Sequence, residues 1–372
     1  MAINIYTMTH KKFDPPKDEM YIPLHVGREM TADLGYTGDN TGDHISHLNR
    51  YYSELTGMYW IWKNVTAEYV GMCHYRRYLI HEEGHIFKEQ ELELLLKEYD
   101  VITTKKLLLN FSYFDGYSKN HNVRDLVETG NVIKEDFPEY YECFEQIVHA
   151  KRTYFGNILV TSKELFDEYA GWLFAIFFKV QKRIDIEHYD DYHKRVFGFI
   201  SEILLLVWVT QKKLKVYEAT VGMLGEKVET REMKETLAVY FGNKQIKEAK
   251  TYFEAMLKKR PDVLMEASDI TGELKLSMQI IATADLEMKS LGVSILDKGR
   301  DYFSLLQFIR QINDAVERYR DGEETALERY FLQKEQVSRV AIEIAVMMFC
   351  QNEVEKDSTL SRILSDLERE TK

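Results

Sequence analysis

Residues Tyr69–Leu79 read YVGMCHYRRYL, and the rest of the chain is organised around this stretch. It begins as a short apolar run that contains Gly71, the pattern of a buried strand, and changes abruptly to His74-Tyr75-Arg76-Arg77. Strands buried on both faces are typical of mainly parallel sheets, and ligands of open α/β sheets bind beyond the carboxyl ends of such strands. The double arginine therefore either binds an anion or only solvates the strand end.

The composition limits the classes of protein to which the chain can belong. With 372 residues, 45% of them hydrophobic, it is long enough for two domains or one large one. The net charge of −12 argues against a general attraction to nucleic acid, so a phosphate site must be a local basic cluster. Cys73, Cys143 and Cys350 show no CxxC spacing, which argues against a disulfide framework or a cysteine metal site and is typical of a reducing cytoplasm.

No segment of the sequence indicates export or membrane insertion. The first residues lack the basic-then-apolar order of a signal peptide. The longest apolar run, Ala170–Phe178, is too short to span a bilayer and is typical of a buried helix. We therefore expect a cytoplasmic protein.

The composition of the sequence changes after about Gly225. All four tryptophans and four of the five prolines precede residue 210, and charged, helix-forming sequence follows. We predict an α/β domain over residues 1–228 and an all-α domain, a bundle or an irregular solenoid, over 229–372. The strand-like runs of the first domain are Ile3–Thr7, Tyr21–Val26, Tyr69–Cys73, Tyr99–Thr104, Tyr154–Thr161 and Leu214–Glu218.

The clearest helical pattern precedes the central strand. Apolar residues recur there at three- and four-residue steps from Ile45 to Trp62, which predicts one amphipathic helix with Asp43 as its N-cap. The segment Lys105–Asn122 has no clean period, so we expect a loop that is either a site wall or packed surface. Glu202 is expected near the first turn of a later helix, where capping is its structural interpretation.

One motif suggests a zinc site. His81-Glu82-Glu83-Gly84-His85 is a literal H-E-x-x-H, which a zinc hydrolase carries on an amphipathic helix. Here Gly84 interrupts the motif, and the apolar periodicity of a buried helix is missing until Phe87. We expect a polar loop, with a zinc hydrolase as the less favoured alternative.

No Asp-x-Asp follows the central strand, the arrangement by which many nucleotide-sugar transferases hold a divalent ion, and His74-Tyr75-Arg76-Arg77 takes its place. A guanidinium binds phosphate oxygens bidentately and stays charged, so a leaving diphosphate can be stabilised without metal. Adjacent residues of an extended segment point to opposite sides. We therefore expect one arginine to face a bound anion such as a diphosphate, and favour Arg76 because it would share a face with His74.

Several short sequence segments, in their order along the chain, resemble those of a known family. The chain is similar to the bacterial capsule, exopolysaccharide and O-antigen glycosyltransferases that include β-galactofuranosyltransferases, over about residues 1–225. The segments are Thr9–Lys11, Thr41–Ser46, Asn49, Glu54–Thr56, Tyr59–Asn64, Gly71–Tyr78 and Phe197–Glu202. One departure is His44, where an asparagine is expected.

The resemblance implies a GT-A-like fold and inverting transfer from a UDP-sugar to a lipid-linked or growing glycan at the cytoplasmic face of the membrane. UDP-galactofuranose is the best guess for the donor, and neither a cofactor nor a metal is expected. Peripheral membrane association and a homo-oligomer formed through the helical domain are compatible with it. The residues implied for the nucleotide end are Thr7, His10 and Lys11, and those implied around the diphosphate and sugar are Asp43, Asn49, Lys63, His74, Tyr75, Arg76 and Arg77.

Inverting transfer also needs a carboxylate that takes the proton from the acceptor hydroxyl. We predict that Glu202 is this base, with Asp115, Asp190 or Asp191 as alternatives, and that His74 and Arg76 act on the leaving group. A different class of function stays open, a non-catalytic module that binds a nucleotide-sugar or glycan. Turnover of a UDP-sugar, as opposed to binding alone, distinguishes the two.

Overall fold

The computed structural model describes residues 2–225, 228–264, 269 and 271–368. The chain divides into two compact units, Met1–Gly225 and Glu226–Lys372. The predicted boundary between residues 228 and 229 lies close to this division.

The first unit is built on a mixed sheet. Its main part has the strand order β3-β2-β1-β4-β5-β10-β6-β9, with β9 also pairing with β4, and β7 and β8 form a separate two-stranded sheet. The strands are β1 Ile3–Thr9, β2 Tyr21–His25, β3 Thr37–Gly38, β4 Tyr69–His74, β5 Arg77–Ile80, β6 Val101–Thr104, β7 Leu107–Leu108, β8 Arg152–Thr153, β9 Leu159–Ser162 and β10 Val216–Met223. β1, β2 and β4 are parallel to one another, whereas β5 and β9 run antiparallel to β4.

Helices cover both faces of the main sheet. The α-helices of this unit are α1 Asn49–Tyr52, α2 Leu55–Asn64, α3 Glu89–Leu96, α4 Tyr113–Asn120, α5 Val123–Asp136, α6 Pro138–Val148, α7 Lys163–Val180 and α8 Val196–Gln211. Short 3-10 helices span Arg28–Met30, Ser46–Leu48, Ile186–His188 and His193–Arg195. Successive β1 side chains point to opposite faces, so Tyr6 joins the larger core with α2 and α5–α8 while Ile5 joins the smaller core with α3.

The predicted α/β class is confirmed, but two predicted elements are wrong in their extent. The run Tyr154–Thr161 is extended only from Leu159, because Gly156 and Asn157 have φ angles of 95° and 48° and turn the chain. The segment Lys105–Asn122 is not one loop, since it contains β7 and α4.

The helix predicted from Ile45 to Trp62 is interrupted. A 3-10 turn leads into α1, and Ser53, with φ 51°, separates α1 from α2. The Asn49 side chain fastens the break by donating to the carbonyl oxygen of Ser53 (2.7 Å) and to Thr56 Oγ1 (3.1 Å). Asp43 is not the N-cap, because Ile45 occupies that position and makes no side-chain cap.

The described residues of the second unit contain helices and no strand. They are α9 Val228–Gly242, α10 Ile246–Lys259, α11 Glu273–Leu291, α12 Tyr302–Asp321, α13 Ala326–Lys334, α14 Arg339–Phe349 and α15 Glu353–Glu368, with 3-10 turns at Pro261–Leu264 and Ile295–Lys298. Their apolar residues form a hydrophobic core within the unit. Among the residues that the structure describes, no helix combines the length and apolar character needed to cross a membrane.

A fragment of residues 1–228 is expected to fold by itself. The buried apolar clusters of the first unit are built from residues of that unit, and a domain of this length can bury its own core. Expression of the fragment beside the intact chain, followed by thermal unfolding, measures this. An insoluble or unfolded fragment next to a well-behaved intact chain would show that the helical unit completes the fold.

Candidate functional site

A tight hairpin connects β4 to β5 and determines which arginine faces the site. His74 pairs directly with Arg77 across the hairpin, and Tyr75 and Arg76 form the turn. Directly opposite residues of an antiparallel pair share a face. The expectation that Arg76 lies on the His74 face is therefore wrong in its geometry, and Arg77 takes that place.

The peptide group of Gly156 holds the centre of the site together. Its N–H donates to Glu202 Oε1 at 2.7 Å, and its carbonyl oxygen accepts from His74 Nε2 at 2.5 Å. Its φ of 95° favours glycine, and an added Cβ atom would come within 3.3 Å of the Arg77 guanidinium. The residues His74, Arg77, Gly156 and Glu202 thus form one cluster, called here the carboxyl-end cluster.

Glu202 does not cap a helix. α8 begins at Val196, so Glu202 lies in the second turn, and its carboxylate points to the Gly156 loop. Burial raises the pKa of Glu202 to about 8; the Gly156 N–H opposes this shift, and the nearby Glu54 carboxylate adds to it. At neutral pH the ligand-free site therefore holds Glu202 mostly protonated, with an ionised fraction that grows as the pH approaches 8.

His74 is neutral. Burial lowers its pKa to about 4, and the hydrogen bond to the Gly156 carbonyl oxygen places the ring proton on Nε2. The ring can therefore fix the Gly156 loop but brings no positive charge to the cluster. The cations close enough to influence Glu202 are Arg77 and Arg195.

A second layer of polar groups positions the cluster. Asn157 Nδ2 donates to Glu54 Oε1 (2.7 Å) and to the Gly198 carbonyl oxygen (3.1 Å), and its own side-chain oxygen accepts from Ser201 Oγ (2.9 Å). These bonds tie the start of α2 and the start of α8 to the loop before β9. The helix break at Ser53 leaves Glu54 as the N-cap residue of α2, where its carboxylate accepts from Asn157.

Glu54, Gly156, Asn157 and Arg195 were not among the site residues predicted from the sequence. Gly156-Asn157 is a turn-forming pair and could have signalled the loop. Arg195 donates from Nε to Ser53 Oγ (3.3 Å), a contact across 142 positions that no local pattern predicts.

Aromatic rings lie next to the cluster at the ends of β1 and β4. The Tyr75 ring is 5.5 Å from that of His10 and 5.8 Å from that of Phe13, edge to face, and Phe13 in turn contacts Tyr36. The Arg76 guanidinium lies 5.3 Å from the Tyr75 ring centre. Its Nε is buried and has no hydrogen-bond partner within the described residues.

The structure places the remaining predicted donor residues in three different settings. Thr7 is buried within β1, where its hydroxyl contacts Cys73 Sγ at 3.4 Å. Lys11 follows β1, where its main-chain N–H donates to Thr9 Oγ1. Asn49 is engaged at the helix break described above. Thr7 and Lys11 thus lie near the aromatic rings, but the Thr7 side chain is buried and contacts Cys73 of the neighbouring strand.

Asp43 and Lys63 are not brought to the carboxyl-end cluster. Asp43 accepts from the Tyr59 hydroxyl (3.1 Å) and its N–H donates to Asn64 Oδ1, and the Lys63 ammonium lies 3.5 Å from the Trp62 ring centre. Both sit at the carboxyl end of α2, beside the start of β4. α2 has 10 residues, so this end is roughly 15 Å from Glu54 along the helix axis.

The alternative bases are engaged elsewhere. Asp115 lies in the first turn of α4 and accepts from Ser112 Oγ (2.7 Å), Asp190 bonds the ring of His193 (2.7 Å), and Asp191 pairs with Arg50 (2.6 Å). None of these aspartates has Arg77 among the contacts described for it.

The H-E-x-x-H segment forms a turn, not a helix. Gly84 N–H donates to the His81 carbonyl oxygen, and a bridge between Ile80 and Ile86 closes the loop after β5. Within the described ranges, the side-chain groups that could hold a metal are Glu29-His44-His47 and His81-His85-Glu91. Neither contains a residue of the carboxyl-end cluster, and in the second group the His81 and His85 rings stack with their centres 4.9 Å apart.

No curated protein matches the chain. Among solved structures, it is similar to one described as the apo structure of the WbbM bifunctional glycosyltransferase, with a TM-score of 0.57 and 30% sequence identity. That similarity covers 61% of this chain and 46% of the other, so the chain spans less than half the length of that protein.

The model of the domain of unknown function DUF4422 matches residues 4–213. This range is more than half of the chain and includes every residue of the carboxyl-end cluster and of the aromatic rings beside it. The chain therefore belongs to the DUF4422 family.

Proposed function

We propose that the first unit is a GT-A-like inverting glycosyltransferase that moves a sugar from a UDP-sugar to a glycan acceptor. The observation that carries the proposal is the placement of a carboxylate, Glu202, and a guanidinium, Arg77, next to the same residue, Gly156. The similarity at 30% identity to a protein described as a glycosyltransferase supports the reaction class. We propose galactofuranose as the sugar and the cytoplasm as the location.

Glu202 is proposed as the base. Inversion requires that the acceptor hydroxyl lose its proton while it attacks the anomeric carbon from the side opposite the leaving diphosphate. A carboxyl group whose pKa is raised to about 8 by burial is a stronger base than an exposed glutamate. Its Oε1 is held by the Gly156 N–H, which leaves the remaining carboxylate oxygen for the acceptor proton.

Arg77 is proposed as the group that stabilises the leaving diphosphate. Negative charge builds on the leaving oxygen in the transition state, and a preorganised cation in a site of low water content stabilises it. No ion pair is described for Arg77, and its guanidinium lies beside Gly156 and close enough to influence Glu202, so its charge can act on a ligand bound at the cluster. Arg195, which bonds only Ser53 among the described side chains, lies close enough to assist.

The aromatic rings beside the cluster are proposed as the nucleotide end of the donor site. Tyr75, Phe13 and His10 offer faces on which a uracil ring can stack, and Arg76 and Lys11 offer cations for the phosphates. His74 is then a positioning residue, since it is neutral and acts through Gly156. On this assignment the reaction requires no divalent metal.

The first test offers a panel of UDP-sugars to the purified chain and measures release of UDP, with and without EDTA. We expect one donor to be hydrolysed slowly without acceptor and the rate to be unchanged by EDTA. Calorimetric binding of UDP without turnover of any sugar would instead support the non-catalytic binding module. Activity that disappears with EDTA and returns with Mn²⁺ would contradict the assignment of the charge to arginine.

A further inference from the structure

The two-stranded sheet β7–β8 and the residues that follow it form an exposed apolar tip on the first unit. Leu108 is 75% exposed and Phe111 is 50% exposed, and Leu107 next to them is also exposed. Leu108 lies directly across from Arg152 in the strand pair, and the Leu109 N–H donates to the Lys151 carbonyl oxygen. Large apolar side chains grouped in this way are unusual on a surface that only faces water.

Cations surround this tip. The Lys119 ammonium lies 3.9 Å from the Phe111 ring centre, and Lys105, Lys151 and Arg152 are exposed close by. In the part of the chain that the structure describes, the side chains of Lys105, Lys151 and Arg152 form no ion pair. The nearby Glu218 is already paired with Lys106, and Asp115 is bound by Ser112. The tip is thus a local basic patch on a chain whose net charge is −12.

The tip also adjoins the proposed base. α4 begins two residues after Phe111, and the hydroxyl of its first residue, Tyr113, donates to the Phe199 carbonyl oxygen at 3.1 Å. Glu202 is close enough to Tyr113 to contribute to the raised pKa of that phenol. A surface bound by the tip would therefore lie close to α8, the helix that carries Glu202.

We propose that this tip, defined by Leu107, Leu108 and Phe111 with Lys105, Lys119, Lys151 and Arg152, docks the first unit on an anionic lipid bilayer. The apolar side chains enter the boundary between headgroups and acyl chains, and the basic rim contacts the lipid phosphates. A few apolar anchors or a few charges bind weakly alone, and together they give stable, reversible attachment. Acceptors carried on lipid would then reach Glu202 at the membrane surface.

This inference does not depend on glycosyl transfer, so it is tested without donor or acceptor. The intact chain is mixed with vesicles of phosphatidylcholine alone or with about 30% phosphatidylglycerol, and the bound fraction is measured by flotation. We expect binding to the anionic vesicles, weaker binding to the neutral ones, and loss of binding at high salt because salt screens surface charge.

Two double variants test the patch. Lys151→Glu with Arg152→Glu is expected to weaken partition onto anionic vesicles about 25-fold or more, since each basic residue near such a surface contributes roughly fivefold. Leu108→Ser with Phe111→Ser is expected to remove binding to both kinds of vesicle. The matched controls are Lys97→Glu with Lys182→Glu, two exposed lysines elsewhere in the unit, and Met30→Ser, which is 70% exposed.

The stability, the vesicle binding and the oligomer size of the variants decide whether the tip docks on lipid. All the substituted tip residues are exposed, so thermal unfolding of the variants is expected to match that of the intact chain. The proposal is overturned if the wild-type chain does not bind anionic vesicles. It is also overturned if the tip variants bind these vesicles as well as the control variants do. A change in oligomer size by light scattering on Leu108→Ser with Phe111→Ser, without vesicle binding, would show instead that the tip contacts a second copy of the chain.

Discussion

Glu202→Gln is expected to lower the rate of glycosyl transfer by about 10²- to 10⁴-fold, the usual contribution of a positioned general base. The amide has the shape of the carboxylate, and its oxygen can still accept from the Gly156 N–H, so the loop and the affinity for UDP are expected to persist. Transfer kinetics and UDP calorimetry on the same protein measure both. Glu164→Gln, an exposed glutamate at the start of α7, is the matched control.

The pH dependence gives an independent readout of the same group. Because the base must be ionised, kcat/KM is expected to rise with pH along a limb with an apparent pKa near 8, the value that burial gives Glu202. Stability changes in the opposite sense. Between about pH 4.5 and 8 the folded state holds a proton on Glu202 that the unfolded state has released, so the free energy of unfolding falls as the pH rises.

Near-normal transfer by Glu202→Gln would contradict the assignment of Glu202 and would move the role of general base to Glu54.

Arg77→Ala is expected to lower the transfer rate roughly 30- to 1,000-fold, equivalent to about 2–4 kcal/mol for a lost charge-assisted contact to the leaving group. The loss should appear mainly in kcat, because the charge develops in the transition state. Arg76→Ala is expected to act mainly on KM for the donor, since Arg76 lies against Tyr75 at the proposed nucleotide end.

The control for these variants is Arg124→Ala, which removes an exposed arginine on α5. Arg77→Lys keeps the charge but not the bidentate geometry, so partial activity is expected. If Arg76→Ala lowers kcat more than Arg77→Ala does, the assignment of the two arginines is reversed. Survival of transfer in both variants would assign the leaving-group charge to another cation.

The candidate site was predicted at this sheet edge because of a local signal in the sequence. The apolar run Val70–Cys73 is a strand buried on both faces, and Val70 and Cys73 lie in different cores. A polar stretch after such a strand indicates the ligand-binding edge of the sheet.

The hairpin that follows was not predictable. Tyr75 and Arg76 are not residues typical of a two-residue turn. Tertiary bonds hold them, from the Tyr75 N–H to Met8 and from the Leu224 N–H to the Arg76 carbonyl oxygen.

The helix break and the Gly156 loop show a second limit of sequence patterns. Apolar spacing from Ile45 to Trp62 continues across Ser53, since the side chains on both sides of the break pack on the same core. A polar contact ends α1: the Asn49 side chain donates a hydrogen bond to the Ser53 carbonyl oxygen. Likewise, Tyr154–Val160 has the apolar composition of a strand, but the Gly156-Asn157 pair turns the chain, and long-range bonds to Glu54, His74 and Glu202 hold that part as a loop.

The two hydrogen bonds of Gly156 link the base to the hairpin by position. When Glu202 loses its proton, its bond from the Gly156 N–H becomes charge-assisted and shorter. The Gly156 carbonyl oxygen belongs to the next peptide unit, across the α-carbon, so a movement of Gly156 toward Glu202 also moves the atom that accepts from His74 Nε2. The ionisation state of the base is thereby coupled mechanically, through the placement of one residue, to the strand end that carries Arg77.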